Sequence, residues 1–218
     1  MDPLKLFALT LMMYSSGLHG EDNFLDTPGS IQLLRNMKEL IANIIGKTSE
    51  PDNPVYKEAQ KLGHIQPQMS NDTPFPCDVS DGRSQRVPTS IHKLKAGDID
   101  IIGAMGDSLT AGFGIFATNI FNIVVENRGA SAYGGGQRNW RELLTLPNIL
   151  KEYNSNLYGY ATDDSFSHQS SSHFNVGESL AMSRDLPYMA NNLIQRMKSD
   201  PRVDIENHWK VNNYYENH

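Results

Sequence analysis

The chemically suggestive residues of this chain are Gly106, Asp107 and Ser108, a small, an acidic and a hydroxyl side chain in direct succession. They close an apolar run, Ile99 to Met105, whose β-branched content and flanking turn residues predict a buried parallel strand. The residues that follow can start a helix. A serine at such a strand-to-helix junction sits at the carboxyl edge of the sheet, where open α/β folds place their sites. Nearby backbone N–H groups and the helix dipole could stabilise a developing oxyanion beside its hydroxyl. The hydroxyl is a weak nucleophile by itself and needs a base within hydrogen-bond reach.

Several elements must position that serine. Ser30 to Gly46 reads as a helix, with Leu34, Met37, Ile41 and Ile44 at helical spacing as a packing face. Residues 47–90 are rich in Pro, Asp, Asn and Ser and read as a long loop. Phe121 to Glu126 is expected to form a second strand and Gly129 to Gly136 a flexible loop. Leu146 to Tyr153 is expected to be helical, capped by Thr145 with Pro147 in its first turn. Asn156 to Ala161 reads as a strand and Thr162 to His173 as a solvated loop. Asp185 to Lys198 completes a helix with Leu186, Met189, Leu193 and Met197 on one face.

Other motifs carry less. Gly112-Phe113-Gly114-Ile115-Phe116-Ala117 matches a dinucleotide fingerprint by letters, but Gly106 to Ala111 separate it from its strand. Gly177-Glu178-Ser179-Leu180-Ala181 lacks the final glycine of a nucleophile elbow. Asp163, Asp164, His168 and His173 could gather around a metal, yet they have neither helical scaffold nor motif spacing, and a solvated loop is preferred. Asn71-Asp72-Thr73 is a glycosylation sequon weakened by Pro74.

The chain has 218 residues, with 19 basic and 25 acidic side chains and a net charge of −6. That balance argues against a nucleic-acid partner, which would demand a basic face. No apolar run approaches the ~18 residues of a membrane span. Residues 1–20 read as a secretory leader: Lys5, then apolar Leu6 to Tyr14, then small residues through Gly20. Cys77 is the only cysteine, and in a secreted protein it implies a missing partner, an intermolecular bond or a free thiol.

Gly106-Asp107-Ser108-Leu109, with Thr110-Ala111-Gly112, resembles the first block of the GDSL, or SGNH, hydrolases. Pro88 to Asp100, Arg128-Gly129, Gly134-Gly135, Thr145 to Leu150 and Asp185-Leu186-Pro187 continue the likeness toward the membrane-associated phospholipase B branch, over roughly Phe75 to Val211. An ordered series is far more specific than a lone four-letter match. The resemblance implies an α/β fold, the N-terminal part of a flavodoxin-like three-layer SGNH hydrolase, over residues 98–218. A helix and loop-rich extension over 21–97 would precede it.

By the same resemblance Ser108 is the nucleophile, flanked by motif neighbours Gly106 and Asp107. Aligned through Asn175-Val176, Ser179, Ala181-Met182 and Asp185-Leu186-Pro187, the glycine that donates to the oxyanion hole falls on Leu180. A leucine keeps the N–H, and can serve if its backbone angles suit a side chain. No metal or organic cofactor is implied. The substrate would be a phospholipid or other lipid ester, met outside the cell or at the extracellular face of a membrane through peripheral contact. In the family, a Trp-Lys-Val-like segment leads to Gly-x-Asn-Asp and later to Asp-x-x-His. Here Trp209-Lys210-Val211 leads to Asn212 through His218 with neither block. Asp164 and His168 are wrongly spaced and precede that place, and His208 and His218 have no reason to reach Ser108. The expectation is an incomplete hydrolase domain with Val211 at an exposed sheet edge and impaired catalysis. The alternatives are a non-catalytic secreted lipid-binding protein and an unstable truncated fragment.

Overall fold

The computed structural model describes residues 28–215. The expected leader and His218 lie outside that range. The described residues fall into two compact units, 28–44 and 45–215. The first is helix α1, Pro28–Ile45. Proline suits a first helical turn because its missing N–H has no partner there in any case. Gly46, at φ +77°, ends the helix where a side chain would be strained.

The second unit is organised around β1, Ile99–Gly106, as its apolar run predicts. On one side β1 pairs in parallel with β2, Trp209–Tyr215, and Val211 stands opposite Ile102. Val211 is therefore not unpaired as expected, but it lies on β2, the outer strand of the two-stranded sheet formed by the described residues. On the other side β1 meets two short pieces of chain. Ile102 N–H donates to Tyr158 and Tyr158 N–H to Asp100; further along, Ala104 N–H donates to Phe174 and Val176 N–H to Ala104. The pieces join where Phe174 N–H meets the Gly159 carbonyl at 2.9 Å. Residues 160–173 make an excursion between them. The expected strand over Asn156 to Ala161 is thus only a local pairing at Tyr158, with a second at Ala161 against Gly135.

Successive residues of β1 face opposite ways, and each face is covered. Ile101 packs with Met189, Leu193 and Met197 of α5, Leu186–Ser199, and with Phe174 and Val176. Ile102 packs with Leu150 of α4, Leu146–Tyr153, and with Leu157. Helices on both faces of a parallel pair make this a mixed α/β architecture. The Thr145 hydroxyl caps α4 by accepting from Asn148 N–H, with Pro147 in the first turn. Cap and proline had placed this helix correctly.

Three expectations give way. The stretch 47–90 contains helix α2, Pro54–Lys61, started by the Asn53 side chain accepting from Val55 N–H. Asn-Pro there is a cap followed by a first helical residue rather than a loop signal. Tyr56, Ala59 and Ile65 fill a core cluster with Phe116, Ala130 and Leu143. Phe121 to Glu126 is no strand: residues Asn122–Val124 form a 3-10 turn, and only Glu126 bridges, to Phe113. Gly129 to Gly136 is not a flexible loop either, being largely buried. A Cβ on Gly135 would lie 2.4 Å from the Gly129 carbonyl oxygen, so bare backbone is what lets these turns nest.

Candidate functional site

β1 delivers Gly106 at the end of the strand, and Asp107 turns the chain into the single helical turn α3, Ser108–Ala111. Asp107 caps it, its carboxylate accepting from Leu109 N–H at 2.9 Å. Gly112, at φ +72°, closes the turn, and a Cβ there would lie 2.5 Å from the Asn127 carbonyl oxygen. Four residues carry only a small dipole, so individual N–H groups rather than a helix field would have to act on a charge here. Ser108 is half-buried, and among the described residues its hydroxyl makes no hydrogen bond.

Beside this turn runs the segment Phe174 to Ala181. Glu178 N–H donates to the Gly106 carbonyl at 3.0 Å, and Gly177 lies so close to Thr110 that a Cβ would meet its Cγ2 at 2.7 Å. The chain then folds back, with Ala181 N–H donating to Glu178. Within that turn Leu180 stands at φ +72° with its side chain exposed. This is left-handed backbone, comfortable for glycine and costly for leucine. Ser179, the near miss to a nucleophile elbow, gives its hydroxyl to the Glu126 carboxylate at 2.6 Å.

Glu126 and Arg128 form an ion pair at 2.6 Å whose side chains are 1% and 0% exposed. The guanidinium also donates to the carbonyls of Ser165, Asn175 and Gly177 and to the Asn175 side chain. Asn175 Nδ2 donates in turn to the Thr110 carbonyl of α3 at 2.9 Å. Sequence reasoning noticed Arg128 only within a family likeness and gave Glu126 and Asn175 no special role. The available signal was two opposite charges inside the stretch Val124 to Ala130, otherwise apolar, small or amide.

The other candidates are engaged elsewhere. His173 Nδ1 lies 2.8 Å from the Tyr160 carbonyl, and His208 Nδ1 accepts from Asp204 N–H. The His168 ring stacks on Phe166. No histidine among the described residues is hydrogen-bonded to Ser108. Asp163 pairs with Lys47, while Asp164 accepts from Ser49 N–H and from Asn127. Burial pushes the Asp164 carboxyl up despite those hydrogen bonds. The excursion that bears them is therefore tied to residues 47–49 rather than merely solvated. No cluster of three His, Cys, Asp or Glu side chains fit for a metal occurs among the described residues. Gly112 and Gly114 of the fingerprint-like stretch both have positive φ and serve turns. Cys77 is an exposed free thiol.

The chain is similar to membrane-associated phospholipase B1 from three mammals. Identity is 38% over 130 residues with the human protein, covering 59% of this chain and 9% of the relative. It is 38% over 146 residues with the mouse protein, 66% of this chain and 10% of the relative. With the rat protein it is 32% over 190 residues, 87% of this chain and 13% of the relative. The chain thus spans about a tenth of the length of the curated relatives it matches. These relatives support a phospholipase B-like family. No protein-family model matches the chain, and no solved structure matches it.

Proposed function

We propose that residues 45–215 are part of a lipid-ester hydrolase domain of the GDSL, or SGNH, type on a flavodoxin-like α/β scaffold. Ser108 is its nucleophile. The observation that carries this reading is Ser108 at the carboxyl end of a buried parallel strand, its hydroxyl without a hydrogen bond among the described residues, in a chain similar to phospholipase B1. In the reaction the Ser108 oxygen attacks the ester carbonyl, its proton passes to a base, and the alcohol leaves; water then releases the fatty acid. The N–H groups of Ser108 and Leu180 are the proposed oxyanion donors. Phospholipids or other lipid esters are the proposed substrates. The proposed setting is outside the cell, at a membrane surface that the chain contacts peripherally; no helix among the described residues is long and apolar enough to cross it.

The described residues alone are proposed to turn over slowly or not at all, because no histidine among them is hydrogen-bonded to Ser108. Hydrolysis of lysophosphatidylcholine and of a short p-nitrophenyl ester by the purified chain and by Ser108→Ala tests both statements. Turnover at or near the uncatalysed rate is expected, with any residue of it lost in Ser108→Ala. Brisk turnover untouched by Ser108→Ala would sink the assignment of the nucleophile. The missing base contact also favours a second reading, a lipid-binding protein without turnover. Saturable binding of lysophosphatidylcholine, unhydrolysed, by a chain that melts cooperatively would support it.

A further inference from the structure

We infer that the buried Glu126–Arg128 pair is a positioning unit that holds Leu180 in left-handed backbone against the turn that carries Ser108. The purpose assigned to the unit rests on the reading of Ser108 as nucleophile; the mechanical claim does not. Two arms leave the pair. Through Glu126 it accepts the Ser179 hydroxyl at 2.6 Å, one residue before Leu180. Through Arg128 it grips Asn175, whose Nδ2 donates to the Thr110 carbonyl within the helical turn begun by Ser108. The Arg128 bond to the Gly177 carbonyl at 2.7 Å fixes the chain between the two arms.

Backbone strain of the kind seen at Leu180 persists only where the surroundings over-determine it. The Leu180 side chain is 60% exposed, so its own packing does little to hold the angle. The clamp must act on the neighbouring residues: Ala181 is held by its N–H bond to the Glu178 carbonyl and by packing on the core, and Ser179 by the buried Glu126 carboxylate. A charged, fully desolvated acceptor makes that tie stronger than an ordinary hydroxyl bond. Glu126 and Arg128 touch neither substrate nor reacting atoms in this scheme and act only through Ser179, Asn175 and Gly177.

The test is a double-mutant cycle on the full chain, crossing Ser179→Ala with Leu180→Gly in urea unfolding. Glycine relieves the left-handed strain but loosens the unfolded chain. Alone it should raise the folding equilibrium constant about threefold. With Ser179→Ala in place the turn is free to relax, and the gain should vanish or change sign. An equal gain in both backgrounds would overturn the inference. A spectroscopic arm uses chain labelled with nitrogen-15 at serine and leucine. The Ser108 and Leu180 amide resonances should move together in Ser179→Ala and return in Ser179→Thr, which restores the hydroxyl. A Ser108 resonance indifferent to the change would equally overturn it. Labelling of Ser108 by a fluorophosphonate tests the nucleophile separately, so the two ideas can fail independently.

Discussion

Arg128 shows how much one side chain can carry. Its guanidinium has no exposed surface and makes five hydrogen bonds, one of them to a carboxylate equally withdrawn from water. Arg128→Ala would take the opposite charge away from the buried Glu126 carboxylate, and breaking such a buried ion pair costs about 3–5 kcal/mol. The expected result is a much lower urea midpoint, or no cooperative transition. Arg128→Lys should also unfold earlier than the natural chain, since an ammonium cannot reproduce a planar fork that reaches several carbonyls at once. A midpoint unchanged in either variant would mean that the pair is not buried as described.

At the scale of elements, the close contact between Phe174–Ala181 and α3 is the one that shapes the site. Gly177→Ala would push a methyl to 2.7 Å from Thr110 Cγ2 and 3.2 Å from Ala111 N. The neighbours would have to move, and overpacking of this kind costs about 1–3 kcal/mol. The effect should appear as a lower melting temperature. Thr145→Ala removes the cap of α4 and should cost about 1 kcal/mol, read the same way. α4 and α5 were legible beforehand because caps, prolines and helical spacing are local signals. Phe121 to Glu126 misled because an apolar run does not say whether a strand partner is available. Asn122–Val124 form a 3-10 turn instead, which buries Asn122 and Val124 but leaves Phe121 and Ile123 exposed, and only Glu126 finds a bridge partner.

At the scale of the whole second unit, residues 56–66 ahead of β1 are part of its packing. Tyr56, Ala59 and Ile65 share a core with Phe116, Ala130 and Leu143, and Gln66 donates to the carbonyls of Trp140 and Arg141. A fragment beginning at Asp98 should therefore expose that cluster and show no cooperative melt. A sharp melt like that of the whole chain would refute this. Stability should also depend on acid through Asp98. Burial pushes this carboxyl up, but hydrogen bonds from Lys95 N–H, Ser84 N–H and the Ser84 hydroxyl outweigh it and hold the pKa below the usual carboxylate value. A group depressed in the folded state adds stability above its unfolded pKa and loses it as pH falls through the folded one. Asp98→Asn should lower stability near neutral pH and flatten the acid limb of a urea series as pH falls from about 5 to below the ordinary carboxylate value. An unaltered slope would remove Asp98 from that account.

By itself the sequence determined what depends on neighbours along the chain: the buried strand of β1, the two helices that flank it, and a serine at the strand's carboxyl end. Turn residues, caps and the alternation of apolar positions act over a few residues, so they can be read directly. Only the tertiary structure decided that Glu126 and Arg128 face one another without water, that Leu180 takes a glycine's conformation, and that α2 fills a core with residues far along the chain. Those outcomes depend on segments tens of residues apart arriving at one place. The free energy that holds them, desolvated charge and close packing, exists only after they meet.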